Sequence, residues 1–499
     1  MTFIQSSKNQ TWLLPPDIRN IISSDHICYL VDSFVDELDF TDFELRYAGA
    51  GHPAYHPRIL CKILIQAMID GTRSSRAIAR CVRENVVYMY LAEKLMPDFR
   101  TISDFRKNNG NLIRDIFKNT IYAAREVGAV GLGQLSIDGS VVKAFASNNS
   151  TVTKGELDVI DDYIDQMLKE STNNDELEDK QLQQCRGYDQ LGATSKKRVK
   201  SICKKYTNKL HNSEEKRNLQ CIKNLKKAKD ESSIDNVGKF SLTDPESRFI
   251  KNKKGRIELG YNTQLTVDHK KGIIIANDVC QDRNDVHQLK PQLTLVEQYC
   301  GQLKENTKIC ADSGCMSEKN IQLLMQKNLD PYIPERTDKN NIKKVQKYKK
   351  EGIIHASFFT YDDKRDVYIC PENQILKLYY EFYDKRRLLI RRVYRGINCR
   401  GCKSNQQCTN RKDKTRQLKV NCLSNDRKCL KEKMRTVKAQ RTFEERKYTV
   451  EPAIGNYKQN LKFREFITRG LNSAKNEFNL VCAAINLKKL WLQSNNANN

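Results

Sequence analysis

Past His56-Pro57, the apolar positions Ile59, Leu60, Ile63, Leu64, Ala67 and Met68 fall at intervals of 1, 3, 1, 3 and 1. That is one face of an amphipathic helix. Gly71 ends it, and Ser74-Ser75 offers a cap for a second helix. Thr101 offers a cap for a third, with Asp104 in its first turn, so residues 56–125 are predicted helical. From 132 to 147 the pattern changes to a buried strand with Asp138 near its end, and Val141 and Val142 resume the apolar run after Asp138-Gly139. Between 257 and 334 the chain reads strand (Tyr261 to Val267), strand (Gly272 to Val279), helix (Leu289 to Leu303), strand (Thr307 to Asp312), helix (Lys319 to Gln326) and strand (Pro331 to Pro334). Residues 335–430 hold alternating strands such as Val367 to Cys370 and Ile375 to Tyr383. The stretch 451–492 is predicted helical, with a core face at Leu471, Ala474, Phe478, Val481 and Ile485, and Asn495 to Asn499 reads as a disordered tail.

With the strand near 134–138 in front, the order is β-β-β-α-β-α-β. It predicts an α+β or α/β fold, a mixed sheet with helices on its faces. Two segments interrupt it. Residues 151–240 are unusually charged: 154–180 has ten acidic and three basic side chains, and 196–229 has thirteen basic and two acidic. Both halves carry a weak helical period, as at Ile160, Ile164 and Leu168, which predicts a helical hairpin of an acidic arm against a basic arm. The β-patterned stretch 335–440 is the second interruption.

Charge sharpens the functional class. The 499 residues include 87 Lys and Arg against 61 Asp and Glu, a net charge of +26. Such an excess points to a polyanionic partner, nucleic acid before a membrane surface. Arg76, Arg80 and Arg83 share a face of the second predicted helix, and 383–400 contains seven Lys or Arg and one Asp. No apolar run reaches the ~18 residues that span a bilayer, and Met1 to Gln10 does not resemble a signal peptide. The expectation is a soluble, cytoplasmic, nucleoid-associated protein with no membrane partner. The 17 cysteines are mostly scattered, as at Cys28, Cys61, Cys81, Cys203 and Cys482, which suits free thiols in a reducing compartment.

Three acids stand out by context: Asp138 and Asp312 at strand ends, and Glu451 at the start of a helix that opens Glu451-Pro452. A carboxylate trio can hold two divalent cations ~3.5–4 Å apart, one activating a nucleophile and one stabilising a leaving oxygen. Oxygen donors suit Mg²⁺, and Lys458, two helical turns beyond Glu451, could hold a phosphate.

These residues resemble the DDE transposases of bacterial insertion sequences, a family of the RNase H-like superfamily. Leu135-Ser-Ile-Asp138-Gly-Ser resembles the first-Asp motif and Ala311-Asp312-Ser-Gly the second. Val450-Glu451-Pro with Gly455 and Lys458, followed by Arg469-Gly-Leu471 and Asn486-Leu-Lys-Lys-Leu490, resembles the Glu-bearing helix and its C-terminal partner. His56-Pro57-Arg58, Gly71-Thr-Arg-Ser-Ser-Arg76 and Thr101-Ile-Ser-Asp-Phe-Arg106 are similar to the family's N-terminal helical domain. Asp244-Pro-Glu-Ser-Arg248, Gly260-Tyr-Asn-Thr-Gln264 with Val267-Asp268, and Asn284-Asp285 to Leu289 resemble the connecting segments.

The resemblance implies an RNase H-like core, and it divides the chain into parts. These are a helical DNA-binding domain at 1–125, the first core parts at 130–150 and 241–334, insertions at 151–240 and 335–440, and C-terminal core helices at 441–499. It implies Asp138, Asp312 and Glu451 as the catalytic triad binding Mg²⁺ or Mn²⁺, although they lie 174 and 139 residues apart. It implies Lys458 and Arg446 as contacts to transposon-end and target DNA, and a homodimer bridging two ends; the shared face of Arg76, Arg80 and Arg83, taken with the net charge, adds a further expected DNA contact. The family often has Tyr, two residues, Arg, three residues, Glu. Here Phe443, Arg446 and Glu451 approximate it, with the aromatic Phe in place of Tyr and a second gap of four; Glu444 and Glu445 are competing third acids, ranked well below Glu451. The implied activity is cleavage and strand transfer in DNA transposition. The rival readings are a nuclease without strand transfer and a catalytically inactive DNA-binding derivative.

Cys399, Cys402 and Cys408, with Cys370 upstream, offer four thiolates to a structural zinc ion, and Cys422 or Cys429 could replace Cys370. The surrounding Arg and Lys are expected to lower the thiol pKa values. His287 reads as a loop or capping histidine, and Asp268 and Asp285 read as turn residues.

Overall fold

The computed structural model describes residues 17–46, 54–169, 181–212, 219–234, 238–252, 255–335, 347–348, 350–385, 389–422 and 424–497. Met1 to Gln10, the end of the acidic arm at 170–180 and Asn498-Asn499 lie outside the described residues.

Seven helices open the chain: α1 (Cys28–Asp36), α2 (Thr41–Arg46), α3 (Pro57–Ile69), α4 (Ser75–Glu84), α5 (Val86–Leu91), α6 (Phe99–Asn108) and α7 (Gly110–Glu126). Pro57 stands in the first turn of α3, and the His56 side chain accepts from Arg58 N–H as its cap. The helix stops where Gly71 turns left-handed at φ +69°. Two local expectations change. Helix α6 starts earlier than predicted, capped by Asp98, whose carboxylate accepts from Thr101 N–H at 2.7 Å. Ser74 precedes α4 but makes no side-chain cap bond.

The central sheet is built from β1 (Gln134–Lys143), β4 (Arg248–Lys251), β5 (Ile257–Asp268), β6 (Ile274–Cys280), β7 (Lys308–Ala311) and β8 (Asp330–Tyr332). The order runs β4-β5-β1-β7-β8, with β6 also on β5. β5 lies antiparallel to β1 and β6, whereas β1, β7 and β8 are parallel. Helix α11 (Leu289–Cys300) joins β6 to β7, and α12 (Glu318–Gln326) joins β7 to β8. This three-strand meander followed by two parallel strands is an RNase H-like fold. β4, which the sequence pattern did not reveal, adds a short sixth strand.

The C-terminal segment is broken rather than one long helix. It comprises α13 (Asn425–Lys433), α14 (Val437–Glu444), α15 (Val450–Gly455), a π-helical turn at Asn456–Asn460 and α16 (Leu471–Ala497). The 495–497 stretch, expected to be disordered, continues α16. α16 packs on α3, α7 and β6. Its Phe478 is fully buried, edge-on to Tyr457 at 5.6 Å. Burying such a side chain contributes about 1.5–3 kcal/mol. The N-terminal helices and the sheet consequently share one continuous apolar core. Arg73, just beyond α3, reinforces the join: it donates to Glu477 Oε1 at 2.6 Å and lies 4.4 Å over the Phe463 ring.

The first insertion hangs from a two-strand stem, β2 (Thr151–Val152) on β3 (Phe240–Ser241). It is not a hairpin. Among the described residues, α8 (Lys154–Lys169), a helical turn at 181–184, α9 (Ala193–His211) and α10 (Gln220–Ile234) enclose a core of their own. The acidic arm does face basic ones: Glu156 pairs with Arg198 at 3.2 Å, and Asp161 pairs with Lys229. The second insertion carries an antiparallel sheet ordered β13-β12-β11-β10-β9, from β9 (Thr360–Asp362), β10 (Val367–Ile369), β11 (Ile375–Asp384), β12 (Leu389–Gly396) and β13 (Gln417–Asn421). No described helix is long and apolar enough to cross a membrane.

Candidate active site

Parallel pairing of β1 with β7 sets Ile137 opposite Ala311. Asp138 therefore lies beside Asp312, where neighbouring backbones are about 4.8 Å apart; Asp312 follows the last residue of β7, but Asp138, expected near a strand end, stands in the middle of β1, which runs on to Lys143 against β5. Asp312 leaves the sheet and caps a helical turn at Ser313–Cys315, its Oδ1 accepting from Gly314 N–H at 2.7 Å. Asp138 Oδ1 accepts from Gly139 N–H at 2.9 Å, and its Oδ2 lies 3.4 Å from Arg446 Nη2.

Arg446 is 5% exposed. Its guanidinium also donates to Ile137 O at 3.3 Å and lies 5.3 Å over the Phe443 ring. It is thus a buried partner of Asp138, not a surface group available to DNA as it stands. A guanidinium so buried needs a fixed counter-charge, and Asp138 supplies it.

Glu451 sits in the first turn of α15, whose Val450 and Ala453 are buried where the helix packs on β1 and β5. Just before it, Thr449 and Ser136 hydroxyls meet at 3.0 Å, docking the segment on β1. The Glu451 side chain itself is exposed. The competing acids face elsewhere. Glu445 accepts from Gln134 Nε2 at 2.7 Å, at the beginning of β1, and exposed Glu444 pairs with Lys447 at 3.5 Å. Lys458, in the π-helical turn, reaches back to β1: its ammonium donates to Val141 O at 2.8 Å and to Ser140 Oγ.

A fourth carboxylate, read from sequence as a turn residue, belongs to this group. Asp285 Oδ1 accepts from Asn262 Nδ2 at 2.7 Å and Gln264 Nε2 at 2.5 Å, both on β5. It crowds Gly139: a Cβ there would lie 2.4 Å from Asp285 Oδ1. Asn320 ties its loop to the Asp312 turn by donating to Val286 O at 2.8 Å and Cys315 O at 2.7 Å. Cys315 lies amid the set. Burial pushes its thiol well above the ordinary range, and Asp312, Asp285 and Asp138 push it further. The Asn284-Asp285 pair was visible in the sequence, but only the packing against Gly139 reveals its position.

The other singled-out residues lie apart. Asp268 is buried and accepts from the N–H groups of Gly131, Leu132 and Lys270, a turn-stabilising role as expected. His287 is exposed and lines a separate groove with Asn277 and Lys290. Arg76, Arg80 and Arg83 are exposed along α4, with Arg76 4.9 Å over the Phe99 ring and Arg80 3.9 Å from Glu84.

Among the described residues, no group of three or more His, Cys, Asp or Glu side chains forms a ready metal site. The donor chemistry nonetheless fits a hard divalent cation: Asp138 on β1, Asp312 just past β7 and Asp285 are all oxygen donors around Cys315. The fold and the paired acids define a class, the RNase H-like proteins whose carboxylates gather at the ends of parallel central strands. Two family models narrow it. Residues 369–491 match a transposase DDE domain and residues 16–108 match a transposase domain. The two matches indicate an insertion-sequence DDE transposase, and transposases act on DNA. No curated protein matches it significantly.

Proposed function

We propose that the chain cuts the DNA strands at the ends of its insertion sequence and joins the freed 3′ ends to target DNA, using Asp138, Asp312 and Glu451 in a divalent-metal site. The observation that carries this reading is the Ile137–Ala311 register, which sets the first two acids side by side. Mg²⁺ or Mn²⁺, held by the three carboxylates, would activate the attacking oxygen and stabilise the leaving one. The chain's own groups prepare that site. Arg446 orients the Asp138 carboxylate through the 3.4 Å ion pair. Asn262 and Gln264 fix Asp285 beside Gly139, adding a second source of negative charge for the cation. Lys458, anchored on the β1 backbone, places a positive charge next to the acids where a DNA phosphate would lie. Arg76, Arg80 and Arg83 offer phosphate contacts to the element's ends, and two copies would pair two ends.

The test is cleavage and joining on a plasmid carrying the element's ends in Mg²⁺ buffer. Asp138→Asn and Asp312→Asn are each expected to lose at least about 100-fold in rate while still binding DNA, as when one preorganised charge-stabilising group is removed. Full activity in either variant would refute the assignment. A pre-cut end offered with target DNA separates the rival: hydrolysis of the intact substrate without any joined product would make the protein a nuclease alone.

A further inference from the structure

We propose that Cys370, Cys399, Cys402 and Cys408 bind one structural zinc ion, which knots the turns of the second insertion together. This goes beyond the DNA chemistry and stands or falls separately from it.

The sequence left Cys370, Cys422 and Cys429 open as the fourth ligand, and the tertiary structure decides among them. Cys370, Cys399, Cys402 and Cys408 line a single cavity of about 20 Å³, whereas Cys422 and Cys429 do not. That volume holds one water-sized occupant. Three separate turns bring the sulfurs there. Cys370 follows β10, and its Sγ accepts from Gln374 N–H at 3.1 Å while Asn373 takes the left-handed conformation, φ 55°, that closes the turn. Cys402 N–H donates to Cys399 O at 3.3 Å, and Asn405 Nδ2 donates to the same carbonyl at 2.6 Å. Cys408 ends a helical turn at Asn405–Cys408.

The sulfurs are electrostatic neighbours as well. The Cys408 thiol is raised by burial first, is lowered by Arg416, and is raised again by Cys399, Cys370 and Cys402. Arg416 does lower it, as expected of a basic neighbour, but burial outweighs that effect and the Cys408 thiol is raised overall. Gly396 presses on the same place: a Cβ there would stand 2.2 Å from Cys399 Sγ, so the sulfur rests against bare backbone.

Donor type selects the ion. No histidine lines the cavity, and the carboxylate of Glu372, which does, accepts from Ser404 Oγ at 2.6 Å. Four sulfur donors suit tetrahedral Zn²⁺, at about 2.3 Å each, and leave no open position for catalysis. Four thiolates and Zn²⁺ carry a net charge of −2, and Arg416 in the cavity wall is placed to offset part of it. On binding, each thiol releases its proton and Zn–S bonds form. As placed, the four cysteines line the cavity without forming a ready cluster among the described residues, so binding requires their side chains to turn toward one another.

The test uses the full chain purified without chelator. Elemental analysis is expected to find one zinc per chain in wild type and in Cys429→Ser, and less than about a tenth of that in Cys399→Ser and Cys408→Ser. Because those variants could misfold, wild-type protein is also reconstituted with Co²⁺. Intense absorption between roughly 600 and 750 nm together with sulfur-to-cobalt charge-transfer bands is expected for a tetrahedral thiolate site. Folded wild type with neither zinc nor cobalt bands overturns the proposal. So does full zinc retention in a folded Cys370→Ala or Cys408→Ser variant, or a disulfide between any two of the four that persists in protein purified under reducing conditions.

Discussion

Gly139 shows how one side chain, or its absence, shapes the acid group. A Cβ at this position would meet Gln264 Nε2 at 2.3 Å and Asp285 Oδ1 at 2.4 Å, so the strand must carry glycine directly after Asp138 for Asp285 to lie against it. Both obstacles are side-chain ends that can move. Gly139→Ala should therefore fold, at a cost of about 1–3 kcal/mol for the overpacking, and displace Asp285. We expect cleavage to fall roughly 10- to 100-fold, with a similar loss in Asp285→Asn and little further loss in the double variant, since the two act through one contact. Multiplicative losses measured in the same plasmid assay would sever Gly139 from Asp285. The residue scale also shows the limit of pattern reading. Asp285 and Asp268 carry the same signal in sequence, yet one faces the acids and the other caps a turn.

At the scale of elements, α4 is the clearest case of a face committed to solvent. Ile78, Ala79 and Val82 bury its inner side, and Arg76, Arg80 and Arg83 remain outside. The 3.9 Å Arg80–Glu84 pair is exposed at both ends and contributes little to stability. If the face contacts phosphates, replacing all three arginines with Gln should lower the slope of log affinity against log salt by up to ~2.7, at ~0.9 per phosphate contact on duplex DNA. An unchanged slope and affinity would show that α4 is a solvated surface only. The helical spacing at 56–125 and the Ile-rich pattern of β6 made these elements readable in advance. The start of α6 and the break between α15 and α16 were less so, because Asp98 outcompetes Thr101 as a cap and a π-helical turn interrupts the C-terminal helix.

Across the whole molecule, the insertions behave differently from the N-terminal helices. The helices at 28–126 are cored together with the sheet and α16, so they are not a separable module. The first insertion has its own apolar core, closed at its base by Thr151–Ser241 pairing. It meets the main body through charged contacts: Lys227 with Glu246 at 2.7 Å, and Glu231 with Arg248. A fragment spanning 147–243 should therefore melt cooperatively by circular dichroism, as a self-cored unit does. A featureless melt would show that it depends on the sheet.

The sequence by itself determined the local periods, and through them the order of strands and helices, the charge that marks a nucleic-acid partner and the motifs at Asp138, Asp312 and Glu451. These are properties of neighbours along the chain. Tertiary structure alone decided what depends on register and packing between distant segments. Parallel pairing put Asp138 beside Asp312, β5 carried Asn262 and Gln264 to Asp285, and burial made Arg446, expected to contact DNA, the partner of Asp138. Three turns in the second insertion put Cys370, and neither Cys422 nor Cys429, in one cavity with Cys399, Cys402 and Cys408. Periodicity fixes which face a side chain takes within its own element, but which residue of another element it meets is set only when the cores close.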